Sequence, residues 1–187
     1  MSNGHGTQVK KRNGSVEQLN LEKIHKVVEE ACEGLGGGVS SSQVEMNSGI
    51  QLYDGITTDE IQEILIRSAS DLISLETPNY QFVAARLLLY GLKKQVFADV
   101  WANGHPPVLE HVRRCVERGV YDAGIIDKYN ASEWETIESF VDHERDYLFT
   151  YAGIRQVADK YLVQDRSSGE VYDCLLYTSP SPRDQLT

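Results

Sequence analysis

Apolar positions along this chain fall mostly at steps of three and four, the period of helices with one buried stripe. The start differs. Residues 8–20 predict a hairpin, with Val9-Lys10-Lys11 leading into Asn13-Gly14 and residues 16–19 returning, because Asn-Gly supplies the positive φ of a tight turn. Asn20 then caps a helix whose Leu21, Ile24, Val28, Ala31 and Leu35 line one face until Gly36-Gly37-Gly38 ends it. Ser40 is placed to cap a second helix holding Val44, Ile50 and Leu52, closed by Asp54-Gly55. Thr57 and Glu60 form a capping box for a third, carrying Ile61, Ile64, Leu65, Ala69 and Leu72. A fourth starts near Pro78 and runs through Val83, Ala84, Leu87, Leu88 and Leu92. The expected fold is mainly α, a β-hairpin capping four helices over residues 1–97.

Asn103-Gly104-His105-Pro106-Pro107 marks a boundary, and residues 98–173 form a second helical segment. Val108 opens a helix that Gly119 stops, Ser132 and Glu135 box another, and residues 151–161 support one more. Residues 161–164 and 170–172 read as strands around a turn, and residues 174–187 as a loose, disordered tail without periodicity.

Length and composition narrow the classes. With 187 residues, 41% hydrophobic and 25% charged, the chain suits one domain or two small ones. Its apolar runs are too short to span a bilayer and its start lacks a signal peptide's apolar stretch, so the expectation is a soluble, cytoplasmic protein with no membrane partner. Cys32, Cys115 and Cys174 are scattered without a Cys-x-x-Cys pair, which argues against a disulfide framework or zinc ribbon. The net charge of −10 disfavours nucleic acid as a partner. Residues 1–26 nevertheless carry +3 and the remainder −13, so a cationic hook sits on an acidic body.

Lys11, Arg12 and Lys23 gather where the hairpin meets the first helix. A helix start offers free N–H groups and a partial positive charge, to which Lys and Arg add charge-assisted hydrogen bonds. Such a cluster serves either an anion site or an ordinary solvated face. Residues 142–146, Asp-His-Glu-Arg-Asp, fit a salt-bridge and capping network better than a metal or acid-base site. His105, before Pro106, is expected to be exposed, and His25 to lie at a surface or edge. Trp101, Trp134, Tyr147 and Tyr151 are expected to anchor the first unit to the helices that follow, and Cys32 and Cys115 to be small core residues.

The order of residues adds a family. Val9-Lys10-Lys11-Arg12-Asn13-Gly14, then Glu17 and Lys23-Ile24, then Tyr53-Asp54-Gly55-Ile56-Thr57-Thr58, Ala84-Ala85-Arg86-Leu87 and Lys93-Lys94 resemble an ATP-cone domain. Further on, Phe140-Val141-Asp142-His143-Glu144-Arg145-Asp146, Phe149-Thr150-Tyr151-Ala152-Gly153 and Lys160-Tyr161-Leu162-Val163-Gln164-Asp165-Arg166 resemble the segment after the cone in the class I ribonucleotide reductase large subunit. The resemblance implies an overall-activity site, where ATP activates and dATP inhibits by changing how subunits assemble. It implies that Lys11 and Arg12 hold phosphates, that Glu17 and Asn20 address base and sugar, and that Lys23, Thr58 and Lys94 complete the pocket. Gln62 stands where relatives often place His or Asp. The same resemblance implies ATP or dATP as effector with Mg2+, and a small radical-generating subunit and self-association as partners of the full-length protein.

After Asp173 the family continues into a catalytic barrel, whereas residues 174–187 resemble translated sequencing-adapter sequence. The expectation is a truncated reading frame with a non-native tail: no catalytic residue, no metal ligand, no redox cofactor and no reductase activity alone. A cone-bearing transcriptional repressor needs a four-cysteine zinc ribbon and a basic DNA face, which this sequence lacks. A ligand-free helical interaction module stays as the alternative.

Overall fold

The computed structural model describes residues 7–49, 52–97 and 104–174. In order these form β1 (Gln8–Lys10), β2 (Val16–Gln18), α1 (Leu21–Cys32), α2 (Ser41–Gly49), β3 (Ile56–Thr57), α3 (Thr58–Ser70), α4 (Tyr80–Phe97), α5 (Val108–Glu117), α6 (Gly124–Asp127), α7 (Ala131–Ser139), a 3-10 turn (His143–Leu148), α8 (Tyr151–Lys160), β4 (Gln164–Asp165) and β5 (Glu170–Val171). Two compact units result. One draws on the chain up to Gly91 and on Phe149–Arg155, the other on Leu92–Leu148 and the chain from Gln156.

In the first unit the Asn13-Gly14 turn forms as expected: Gly14 has φ 83°, and its N–H donates to the Lys11 carbonyl at 2.9 Å. β1 and β2 pair antiparallel with Val9 opposite Glu17. β1 also pairs in parallel with β3, Val9 opposite Ile56, so a three-stranded sheet of order β2-β1-β3 stands where the sequence predicts a hairpin alone. Two residues show no alternation to read, and a parallel partner 47 positions away leaves no local trace. The junction is pinned at Gln8, whose N–H donates to Asp54 Oδ1 at 2.7 Å and whose carbonyl accepts from Gly55 N–H at 2.9 Å. Gly55 has φ 83°, a conformation open to glycine at little cost.

Asn20 caps α1 by accepting from Lys23 N–H at 3.1 Å. α1 stops at Cys32, short of Leu35, and its terminal carbonyls find a side chain: Arg86 Nη1 donates to Ala31 O at 3.3 Å and to Glu33 O at 2.6 Å. A guanidinium at a helix C-terminus satisfies free acceptors and opposes the negative end of the dipole. α2 ends at Gly49; Leu52 lies outside it and Ile50 outside the described residues. The spacing of Val44, Ile50 and Leu52 is not helical, and the buried pair is Val44 and Ser48, one turn apart. Thr57 and Glu60 form the expected capping box on α3, worth about 0.5–2 kcal/mol as a cap. α4 buries Tyr80, Val83, Ala84, Leu87 and Leu88; the Tyr80 hydroxyl accepts from Ser40 N–H at 2.9 Å and donates to Gln43 Oε1 at 2.7 Å.

The second unit packs Val108, Val112 and Trp134 together, with Tyr129 edge-on to Trp134 at 5.4 Å. α7 is boxed by Asn130 and Glu133, not by Ser132 and Glu135, because Asn130 stands immediately before the helix and its Oδ1 reaches the Glu133 N–H at 3.1 Å. The Ser132 hydroxyl donates to that same Asn130 oxygen at 2.8 Å. Gly119, at φ 70°, follows the end of α5, and β4 pairs antiparallel with β5. Cys115 is buried and Cys32 half-buried. Cys174, first residue of the expected tail, is buried, while residues 175–187 and Trp101 lie outside the described residues.

This unit also has a polar interior. Lys93 and Asp146 are both buried and pair at 3.0 Å, and Lys93 Nζ lies 3.3 Å from His105 Nε2. His105 is half-buried, not exposed, because its ring stacks on His143 with centroids 3.7 Å apart. Asp142 Oδ1 accepts from Glu144 N–H at 3.0 Å, so the acidic run from Asp142 to Asp146 caps and pairs. Removing one partner of a buried pair leaves an uncompensated charge, at about 3–5 kcal/mol.

Burial, reinforced by the Lys93 ammonium and by His143, pushes the His105 imidazole down to about 4; His143 shifts the same way, chiefly by burial, against the pull of Asp146, Glu138 and Asp142. The unfolded chain, with His near 6.5, then takes up the proton first, so this contribution is complete above about pH 6.5 and is lost as pH falls toward 4. Asp146, raised by burial, opposes part of the loss. His25, raised by its hydrogen bond to Glu45, has the opposite sign and is exposed. Amide exchange read peptide by peptide between pH 7.5 and 5 is expected to show residues 104–111 and 142–148 losing protection on acidification. His105→Phe, which cannot be protonated, reduces that loss.

Candidate functional site

The hairpin tip carries Lys11 and Arg12 in adjacent positions, and each meets a carboxylate. Lys11 Nζ lies 2.6 Å from Glu17 Oε1 across the hairpin. Arg12 reaches 47 residues along the chain, its Nε and Nη2 both 2.6 Å from Asp59 Oδ1. That pair sets the tip of the hairpin beside the first turn of α3, where Thr58 is the first helical residue. The Glu17 carboxyl is held below the usual carboxylate range, first by its hydrogen bond to Lys11 and also by the charges of Lys11 and Lys23. Lys11, Glu17, Lys23 and the cap Asn20 therefore share one corner, and Arg12 ties α3 to it.

Gln62 stands one turn beyond Thr58 on α3, but it does not hang free. Its Nε2 donates to the Leu87 carbonyl at 2.6 Å, and its side chain lies against Gly91, where an added Cβ would sit 3.0 Å from Gln62 Cγ. α3 and α4 thus meet closely through a glycine and a hydrogen-bonded amide. Lys94, three residues past Gly91 on α4, belongs to the second unit and is exposed. Sequence reasoning missed Asp59 and Arg86, whose partners lie 47 and 53 or more residues away, a separation that no local periodicity reports.

Among the described residues no group of three or more His, Cys, Asp or Glu side chains is placed to hold a metal, and no helix is long and apolar enough to cross a membrane. The corner is a different kind of place: cations at a tight turn, next to two capped helix starts, with hydrogen-bonding side chains at its edge. Phosphates suit such a place, through N–H groups and charge-assisted bonds.

Residues 7–95 match the ATP cone domain, which agrees with this sheet and helix arrangement. Over most of its length the chain is similar to ribonucleoside-diphosphate reductase alpha subunits. It is 46% identical over 168 residues to the ribonucleoside-diphosphate reductase subunit alpha of Haemophilus influenzae, covering 88% of this chain and 21% of that protein. It is 46% identical over 166 residues to the ribonucleoside-diphosphate reductase 1 subunit alpha of Escherichia coli, with the same coverage, and 40% identical over 165 residues to the subunit alpha of Enterobacteria phage T4, covering 87% and 21%. The chain thus spans about a fifth of the length of these relatives.

A glycine inside a helix usually gains about 0.5–1 kcal/mol when replaced by alanine. At Gly91 the opposite sign is expected, because the new methyl meets Gln62. Urea unfolding of Gly91→Ala should show a loss of about 1 kcal/mol, turning into a gain when Gln62→Ala is combined with it.

Proposed function

We propose that residues 1–97 act as the regulatory domain of a ribonucleoside-diphosphate reductase large subunit, sensing ATP as activator and dATP as inhibitor of deoxyribonucleotide synthesis. The observation that carries this reading is the Arg12–Asp59 pair at 2.6 Å, which draws the cationic hairpin tip to the start of α3 inside a matched ATP cone. Lys11, Arg12 and Lys23 would grip the phosphates, Glu17 and Asn20 would address the base and sugar, and Thr58 and Gln62 would line the wall formed by α3. Mg2+ would travel with the triphosphate, taking its ligands mainly from phosphate oxygens and water, which suits its octahedral preference. The segment 98–173 would link the sensor to the catalytic part of a longer protein. The small radical-generating subunit and further copies of the large subunit are the partners whose assembly the nucleotide would alter, in the cytoplasm.

A ligand that binds the folded state alone stabilises it by about 2.7 kcal/mol at a hundredfold excess over Kd. For a unit of this size each kcal/mol moves the midpoint by roughly 4–8 °C, so saturating dATP should raise the melting temperature by on the order of 10 °C. Replacing Lys11 and Arg12 together by Ala should abolish most of the shift, since two charge-assisted contacts of roughly 1.5–3 kcal/mol each are lost. An unmodified chain whose midpoint ignores both ATP and dATP would favour the ligand-free helical module instead.

A further inference from the structure

We propose that Asp59 is an internal competitor for the nucleotide's phosphates: its carboxylate occupies the Arg12 guanidinium in the free protein, and a triphosphate binds by taking that guanidinium over. The proposal rests on the nucleotide-sensing reading above and adds to it a residue that sets affinity. Arg12 offers Nε and Nη2 to one carboxylate oxygen at 2.6 Å, and these are donors that a phosphate oxygen would use. The carboxylate itself stands in the first turn of α3, where the positive end of the helix dipole favours an anion. Asp59 therefore stands in for an anion, in charge and in position.

The pair is also easily exchanged. Both side chains are exposed, 41% for Arg12 and 59% for Asp59, and ion pairs of this kind in water hold weakly. The start of α3 does not depend on Asp59, because the cap is made by Thr57 with Glu60: Glu60 N–H donates to Thr57 Oγ1 at 3.1 Å, and Thr57 N–H to Glu60 Oε2 at 2.8 Å. The Glu60 carboxylate also accepts from the Tyr53 hydroxyl at 2.8 Å, which leaves Asp59 as the acid of that turn aimed at the hairpin. Lys11, Arg12 and Lys23 against Glu17 and Asp59 leave a single net positive charge, and neutralising Asp59 doubles it. A triphosphate arriving at this corner must displace Asp59 from Arg12 and then sit beside the displaced charge.

Titration calorimetry on the full 187-residue chain, with dATP, ATP and inorganic tripolyphosphate as probes, tests this. Asp59→Asn and Asp59→Ser should each tighten all three by roughly three- to tenfold at low salt, with the gain shrinking at high salt as charges are screened. In an Arg12→Ala background the same changes should yield clearly less. Circular dichroism of each variant checks the fold, and the serine variant serves if the asparagine one unfolds. Binding by the unmodified chain with no tightening in either variant overturns the proposal while leaving the nucleotide site standing. Weakening that appears only with Mg2+ would put Asp59 on the metal and also overturns it. If neither the unmodified chain nor the variants bind any probe, the nucleotide-sensing reading falls, and the proposal falls with it.

Discussion

The short parallel contact between β1 and β3 is the constraint on which the first unit depends. Val9, 6% exposed, lies opposite Glu17 on one side and fully buried Ile56 on the other, so the middle strand is held from both edges. Gln8 closes the junction with its N–H on Asp54 and its carbonyl on Gly55. A two-stranded hairpin alone is marginal in water, and a third strand with a buried face makes it a fixed platform. Because Thr57 ends β3 and caps α3, the register that pairs Lys10 with Thr57 also decides how far the hairpin tip stands from the first turn of α3. Shift it by one residue and the strand's faces exchange, carrying Val9 out of the core and Lys11 and Arg12 away from α3.

Around that platform the helices are joined by polar side chains as much as by apolar contact. Arg86 closes the end of α1, the Tyr80 hydroxyl ties the start of α2 to α4, and Gln62 bonds the backbone of α4 from α3. Arg86 and Tyr80 bond backbone groups at helix ends, Gln62 reaches a carbonyl inside α4, and each acts across 25 residues or more. These are directional contacts. They settle helix position more sharply than burial does, since an apolar stripe tolerates sliding and a 2.6 Å hydrogen bond does not.

The second unit solves a different problem, that of keeping charge inside. Lys93 is 2% exposed and Asp146 5%, and the pair sits beside two stacked imidazoles with Phe97 edge-on to His105 at 6.0 Å. A second polar set joins α5 to the segment after β5: His111 Nε2 lies 3.3 Å from Asp173 Oδ1, and the Tyr121 hydroxyl donates to Asp173 Oδ2 at 2.7 Å. Burial, together with that hydrogen bond and the Asp173 charge, raises the Tyr121 phenol well above its usual range. Cys115 Sγ lies 3.5 Å from His111 Nε2, and burial pushes its thiol up.

Most of the local signals in this chain are written where they act. Asn13-Gly14 makes the turn, Asn20 caps α1, and Thr57 with Glu60 boxes α3, because a cap or a turn is satisfied within four residues and its residue types announce it. The cations of the hairpin and their order in the chain were legible in the same way. Where two local candidates competed, geometry chose: Asn130, at the residue before α7, outranked Ser132 inside it. What sequence could not carry was distance. β3 exists because β1 lies beside it, Asp59 matters because Arg12 reaches it, Gln62 is fixed because Gly91 leaves room, and His105 is covered because His143 stacks on it. Each of these needs two segments brought together by packing, and until they are, the residues involved look like any exposed polar side chain.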